Sequence, residues 1–302
     1  MSKVKKLIVA VAAVALVLLM VWAAFAWGNP QWHWRIYAFQ AGANNEGKDL
    51  TPTGSYSGVW KNWDETGRVT SWFTYKTGRR DGPYEVLNAD GMATSKGQFA
   101  NEQLDGIQTI IHEDGVRAEV PYANGKRHGV EMSWYPSGQV AIEAPFIDGV
   151  QQGIVVLYYD NGARQTAIPF YDGLKEGVEN TWFEDGTLQG EENYRGGKKN
   201  GKSVFWAPDG KEVMILNYLD DMMDGVQVWF HPNGQKAKEV ELRLYVPHGY
   251  WKEWDENGVL IVDEEYEDGA TKEKKDEAPK DAAPDAPVEE PITTEAGSEV
   301  HA

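Results

Sequence analysis

Cysteine is absent from all 302 residues. That excludes disulfides and thiolate metal sites, and leaves the redox compartment without a cysteine signal. Histidine is scarce: His33, His112, His128, His231, His248 and His301 stand alone, none paired at metal-ligand spacing. Excess positive charge is also lacking, since the net charge is −18. The stretch 58–269 holds 36 acidic against 20 basic residues, which opposes nucleic acid and direct docking of this stretch on anionic lipid. It permits a basic protein partner, or simple solubility. No Gly-x-Ser-x-Gly elbow and no phosphate-binding glycine loop occurs. Carboxylate pairs such as Glu191-Glu192 are adjacent along one strand, so they point to opposite faces and cannot serve together as acid and base. Asp220, Asp221 and Asp224 crowd one turn without the alternating oxygen ligands of a calcium loop. The expectation is a non-catalytic chain with no cofactor and no metal.

What the chain has instead is a period. Opening glycines stand at Gly58, Gly82, Gly106, Gly129, Gly153, Gly177, Gly201, Gly225 and Gly249, each step 24 residues except the 23 between Gly106 and Gly129. Nine residues after each follows a turn glycine: Gly67, Gly91, Gly115, Gly138, Gly162, Gly186, Gly210, Gly234 and Gly258. Nine phased copies mean a repeat architecture. Below, +n denotes the nth residue after an opening glycine.

Position +5 is large and apolar: Trp63, Leu87, Ile111, Trp134, Tyr158, Trp182, Trp206, Phe230 and Trp254. A second column, usually aromatic, occupies +17, for example Tyr75, Phe99, Phe146, Phe170, Tyr194, Tyr218 and Tyr266. Between the columns lie turns such as Asp160-Asn161-Gly162, whose Asn and Gly tolerate positive φ. Each repeat therefore reads as two strands of about six to eight residues joined by a tight turn. Glycines and turns at this spacing leave no room for a long helical stripe. The fold class expected is all-β: an elongated, single-layer antiparallel sheet of nine hairpins, roughly 85 Å long at about 4.8 Å per strand. Alternation puts +1, +3 and +5 on one face, as in Ile154, Val156 and Tyr158, and leaves the opposite face mixed, as in Glu179 and Thr181.

The run Tyr122-Ala123-Asn124-Gly125-Lys126-Arg127-His128-Gly129, followed by Trp134-Tyr135-Pro136-Ser137-Gly138, resembles the bacterial variant of the MORN repeat over about 58–269. Many chains of that kind carry the label of a YwqK-like antitoxin. The resemblance implies a non-catalytic scaffold that touches membranes or partner proteins. Asn101-Glu102, Asp220-Asp221 and Arg243-Leu244-Tyr245 depart from the pattern, and altered local turns are expected there.

Outside the repeats, residues 1–6 are basic at Lys3, Lys5 and Lys6, and residues 7–27 form an unbroken apolar run from Leu7 to Trp27. At 1.5 Å per residue that run is long enough to cross a bilayer as a helix. The lysines would keep its start cytoplasmic and place the repeats on the periplasmic or extracellular side. Ala24-Phe25-Ala26 offers a signal-peptide cleavage site as the alternative. Residues 28–57 read as linker and cap. Residues 270–302 are an acidic, Ala- and Pro-rich segment expected to be disordered.

Because a single-layer sheet has no second layer, the +5 aromatics Trp63, Trp134, Tyr158, Trp182, Trp206, Phe230 and Trp254 are either fold core or an interaction surface. The favoured expectation is a membrane-anchored scaffold for a protein partner. The alternatives are an antitoxin and a module that stacks glycan rings on indoles.

Overall fold

The computed structural model describes residue 52 and residues 54–272. The expectations for a membrane helix over 7–27, for most of the linker 28–57 and for nearly all of the tail 270–302 lie outside the described residues. No helix among the described residues is long and apolar enough to cross a membrane.

These residues form one 25-stranded antiparallel sheet. The sixth repeat shows the unit. Gly177–Trp182 pairs with Leu188–Arg195, in register from Gly177↔Tyr194 to Trp182↔Leu188. A bulge between Thr181 and Trp182 skips one residue of the second strand, and eight of the nine hairpins carry it at the same place. The exception is the repeat opened by Gly106, which is one residue shorter and pairs without a shift from Gly106↔Tyr122 to Ile111↔Arg117. Deleting the bulge residue is therefore how a 23-residue copy keeps phase with its neighbours.

Two different turns alternate along the chain. Within a repeat, the turn glycine N–H donates to the carbonyl three residues back, as Gly186 to Phe183 at 2.9 Å. Between repeats, two-residue turns such as Asp172-Gly173 take positive φ at both positions (50° and 78°). This is the mirror-image turn whose twist suits adjoining strands. It is followed by a two-residue strand absent from the sequence reading: Leu174–Lys175 pairs back on Phe170 and Tyr171. Where sequence departs from Asn-Gly, the expectation of altered turns is corrected. Asn101-Glu102 (48°, 72°), Asp220-Asp221 (50°, 72°) and Leu244-Tyr245 (50°, 69°) keep the same backbone. Side-chain bonds hold them there. The Glu102 carboxylate accepts from Arg80 Nε at 2.7 Å, Asp221 Oδ1 accepts from the Lys199 N–H at 2.8 Å, and the Tyr245 hydroxyl donates to the Asp221 carbonyl at 2.8 Å.

The opening glycine has its own cause. At Gly129 and Gly153, φ is 120° and 102°, and a Cβ there would lie 3.0 Å from Pro121 Cγ and 3.2 Å from Pro145 Cγ. Each such proline belongs to the preceding repeat, so adjacent repeats pack closely where the side chain is absent.

Burial revises the face assignment. Positions +1, +3 and +5 share a face, but the deepest residues mostly sit opposite, at +2 and on the strand paired with it. Trp60, Tyr84, Val155, Glu179, Ser203 and Gln227 are buried at +2; Val120, Ala144, Leu216 and Val240 are buried on the partner strands. The +17 rings lie on this buried face. A cation two residues before the opening glycine caps them: Arg80 over Phe99 at 4.3 Å, Arg127 over Phe146 at 5.2 Å, Lys175 over Tyr194 at 4.6 Å and Lys199 over Tyr218 at 5.3 Å. Such stacking lets a long cation cover ring surface while its head remains wet. Two of the buried polar members at +2, Glu179 and Gln227, find partners. Glu179 accepts from Lys175 Nζ at 2.6 Å, and the Gln227 amide donates to the carbonyls of Asn217 and Gly225 while accepting from the Asn217 N–H.

Candidate interaction surface

On the outer face, the +5 residues Trp63, Trp134, Tyr158, Trp182, Trp206, Phe230 and Trp254 are all half-buried. The strand partner of +5 lies at +11: Trp134↔Val140, Trp182↔Leu188, Trp254↔Leu260. From the neighbouring repeat, Arg117 stacks over Trp134 at 4.1 Å and Lys236 over Trp254 at 5.5 Å. Successive +5 aromatics are thus separated by intervening side chains, some of them charged, rather than forming an unbroken groove. Hydrogen bonds tie this row to the turns. The Tyr135 hydroxyl donates to the Tyr158 carbonyl at 2.7 Å, Tyr159 to that of Trp182 at 2.9 Å, and His231 Nε2 lies 2.8 Å from that of Trp254.

The more exposed apolar surface lies elsewhere on this face. At +1, Ile107, Val130 and Ile154 are 58, 51 and 59 % exposed, and Val59, Val178, Val226 and Tyr250 are exposed too. Prolines stand opposite three of them in register: Ile107↔Pro121, Val130↔Pro145 and Ile154↔Pro169. A second exposed row flanks the inter-repeat turns, where Ile147↔Val150, Tyr171↔Leu174 and Leu219↔Met222 pair. Between the last two pairs the row is interrupted by the exposed pair Arg195↔Lys198, with exposed Lys202 at +1 beside it.

Reading the sequence missed both rows. The available signal was the aliphatic residue recurring directly after the opening glycine. It was obscured because both faces carry apolar residues, so alternation alone does not say which face is covered.

Among the described residues, no group of three or more His, Cys, Asp or Glu could hold a metal. Asp220 accepts from the Asn200 amide at 3.1 Å and Asp221 from the Lys199 N–H, so both serve the turn. His128 and His248, each just before an opening glycine, face Asp148 at 3.2 Å and Asp268 at 3.3 Å. Burial, with Glu179 and Glu192 nearby, pushes the Tyr194 hydroxyl pKa upward and keeps it protonated. Burial lowers the Lys199 pKa, but the Glu192 carboxylate outweighs it and raises the pKa overall. Both effects hold a structural ion-pair network in its resting charge state.

Among curated proteins, none matches the chain. Four segments, residues 127–148, 175–195, 223–242 and 247–268, match the family model described as the MORN repeat variant. The hairpins of these segments carry the same bulge and register as one another, and the four matches support a MORN-repeat protein.

Proposed function

We propose that this chain is a non-catalytic scaffold that binds a protein partner through the outer face of its sheet. The carrying observation is the pair of exposed aliphatic rows, Ile107 to Ile154 at +1 and Ile147 to Leu174 beside the turns. Apolar surface recurring in register over several repeats is unusual on a monomer and characteristic of interaction sites. Arg195, Lys198 and Lys202 interrupt the rows, so the partner that fits is an extended apolar surface with an acidic group at that point. The apolar run Leu7–Trp27 supports a membrane anchor with the repeats on the periplasmic or extracellular side. The YwqK-like antitoxin reading ranks below the scaffold, because an antitoxin for a cytosolic toxin has no use for such an anchor.

The test is crosslinking in native membranes with full-length bait, comparing the natural chain with an Ile154→Lys/Tyr171→Lys variant. A recurring partner should be captured by the natural chain and lost from the variant while thermal unfolding is unchanged. Equal capture by both would sink the reading.

A glycan-binding reading has one observation in its favour. The outer face near the first repeats forms a shallow depression of about 560 Å³ lined by Trp72, Glu85, Lys96, Gln98 and Thr109. An indole beside planar polar side chains suits a sugar ring. Enrichment on purified peptidoglycan that Trp72→Ala abolishes would favour it over the scaffold.

A further inference from the structure

Independently of the outer face, the end of the sheet carries a second kind of site. Up to the eighth repeat, every second strand is bonded on both sides, to its own first strand and to that of the next repeat. Leu188–Arg195 shows this, with Gly190↔Phe205 and Glu191↔Val204 reaching across the seam. The last second strand, Leu260–Glu267, pairs with Val246–Trp254 on one side. On the other, among the described residues, only Tyr266 and Glu267 are paired, with Thr271 and Ala270. The Glu265 carbonyl accepts from the Lys272 N–H at 2.7 Å. Among the described residues, 260–264 therefore present an open backbone edge, with Val259, Leu260 and Ile261 exposed.

The neighbouring seam shows what such an edge accepts. There Glu239 lies opposite Lys252 and Lys238 opposite Glu253, the latter pair 3.3 Å apart, with Lys236 over the Trp254 ring. By the same register, an added strand would set its +3 residue opposite Asp263, its +4 opposite Val262, and its +5 against Leu260. Asp263, Glu264, Glu265 and Glu267 make this edge acidic. Lys272 answers only Glu265, at 2.7 Å, and Glu267, at 3.9 Å. No ion pair reaches Asp263 or Glu264 among the described residues.

Two occupants are disfavoured by charge. Pairing this edge with its own copy brings acidic strands together, which is destabilising. Continuing the chain's own sequence in register would set Asp276 against Asp263 and Ala278 where nine repeats have a large apolar residue. We infer that the last strand is a β-addition site for a partner protein's extended segment, antiparallel, carrying a basic residue opposite Asp263 and a large apolar residue two positions later. Main-chain hydrogen bonds would supply affinity, and the two side chains selectivity.

The probe is a synthetic peptide, Ser-Gly-Val-Thr-Lys-Thr-Trp-Ser-Lys, titrated into the full chain and followed by calorimetry and by hydrogen exchange. Binding should slow amide exchange over 260–264 and leave strands 129–182 unaffected. Asp263→Lys, at an exposed position, should weaken binding about tenfold, and a peptide with glutamate for its first lysine should restore it. Absence of binding, indifference to both charge changes, or protection on the outer face instead of the edge would each overturn the inference. So would a concentration-dependent dimer of the peptide-free chain that Asp263→Lys abolishes, since a second copy would then be the occupant.

Discussion

Ser203 and Gln227 occupy the same position of adjacent repeats, and both are fully buried, yet their side chains meet opposite circumstances. Gln227 satisfies its amide on the main chain at Asn217 and Gly225, whereas Ser203 Oγ has no hydrogen-bond partner. A buried unmade hydrogen bond costs about 1–3 kcal/mol, while a satisfied one lost leaves partners stranded. Ser203→Ala should therefore leave stability unchanged or raise it by roughly 1 kcal/mol. Gln227→Ala should lower it by about 2–4 kcal/mol, counting the cavity as well as the bonds. Chemical denaturation of the two variants checks both signs. Leu244 offers a different gain. It holds φ at 50° in an exposed turn position that Asp or Asn fills in several other copies. Leu244→Asn should stabilise by roughly 0.5–1 kcal/mol, because asparagine tolerates that region at lower strain; an unchanged or lower denaturation midpoint would contradict this. The within-repeat turns add a pH dependence. Asp64 is held well below the usual carboxylate range chiefly by the Thr66 hydroxyl, Asp185 is lowered by that of Thr187, and Asp255 by the Val259 N–H. Their folded pKa values lie below the unfolded value near 3.8, so the stabilisation is present above that pH and is lost as acid protonates them in the fold. Thermal unfolding followed from pH 5 to pH 2 should show a falling midpoint, and the triple Asp→Asn variant should flatten that fall.

At the scale of the hairpin, much of the architecture was legible in the sequence, because its determinants are local. Turn glycines at fixed spacing give the all-β class, the nine hairpins and the strand lengths without any tertiary knowledge. Burial was not legible for a physical reason. Residues Ile154 and Val155 are adjacent and equally apolar, and alternation sends them to opposite faces without saying which face the +17 rings will cover. Only the register, Gly153↔Phe170 with Val156↔Ala167, places the ring column on the side of Val155. The departures at Glu102, Asp221 and Tyr245 were misleading because compensation comes from residues outside the turn, such as Arg80 and Lys199, one repeat earlier. The face assignment itself has a measurable consequence. Trp60, 3 % exposed on the buried face, should cost about 3–5 kcal/mol on truncation to alanine. Half-buried Trp182 should cost roughly half as much, its indole being partly in water already. Equal losses in denaturant titrations would mean that the two faces are equivalently covered.

For the molecule as a whole, the seams between repeats are nearly interchangeable, which makes stability a sum over neighbours rather than the property of one centre. This predicts that a whole repeat can be removed where half of one cannot. Deleting residues 153–176 joins Gln152 to Gly177. Two contacts that recur at successive seams then have counterparts of the same kind. Pro145, which now packs against Gly153, meets Gly177, as Pro169 does in the natural chain. Tyr135, which donates to the Tyr158 carbonyl, meets that of Trp182, as Tyr159 does. Strand direction and face are preserved, since the two long strands of one hairpin leave together, Val150–Gln151 takes the place of Leu174–Lys175, and the remaining residues keep their parity. Removing only 153–164 deletes a first strand and its turn, so the following strand runs the wrong way for its neighbour and its side chains change faces. The 24-residue deletion should keep its β-sheet circular dichroism and unfold cooperatively a few degrees lower, whereas the half-repeat deletion should lose cooperative unfolding. Loss of folding in both would show that the repeats opened by Gly129 and Gly177 depend on the particular residues between them, and that the seam is not a repeated unit of stability.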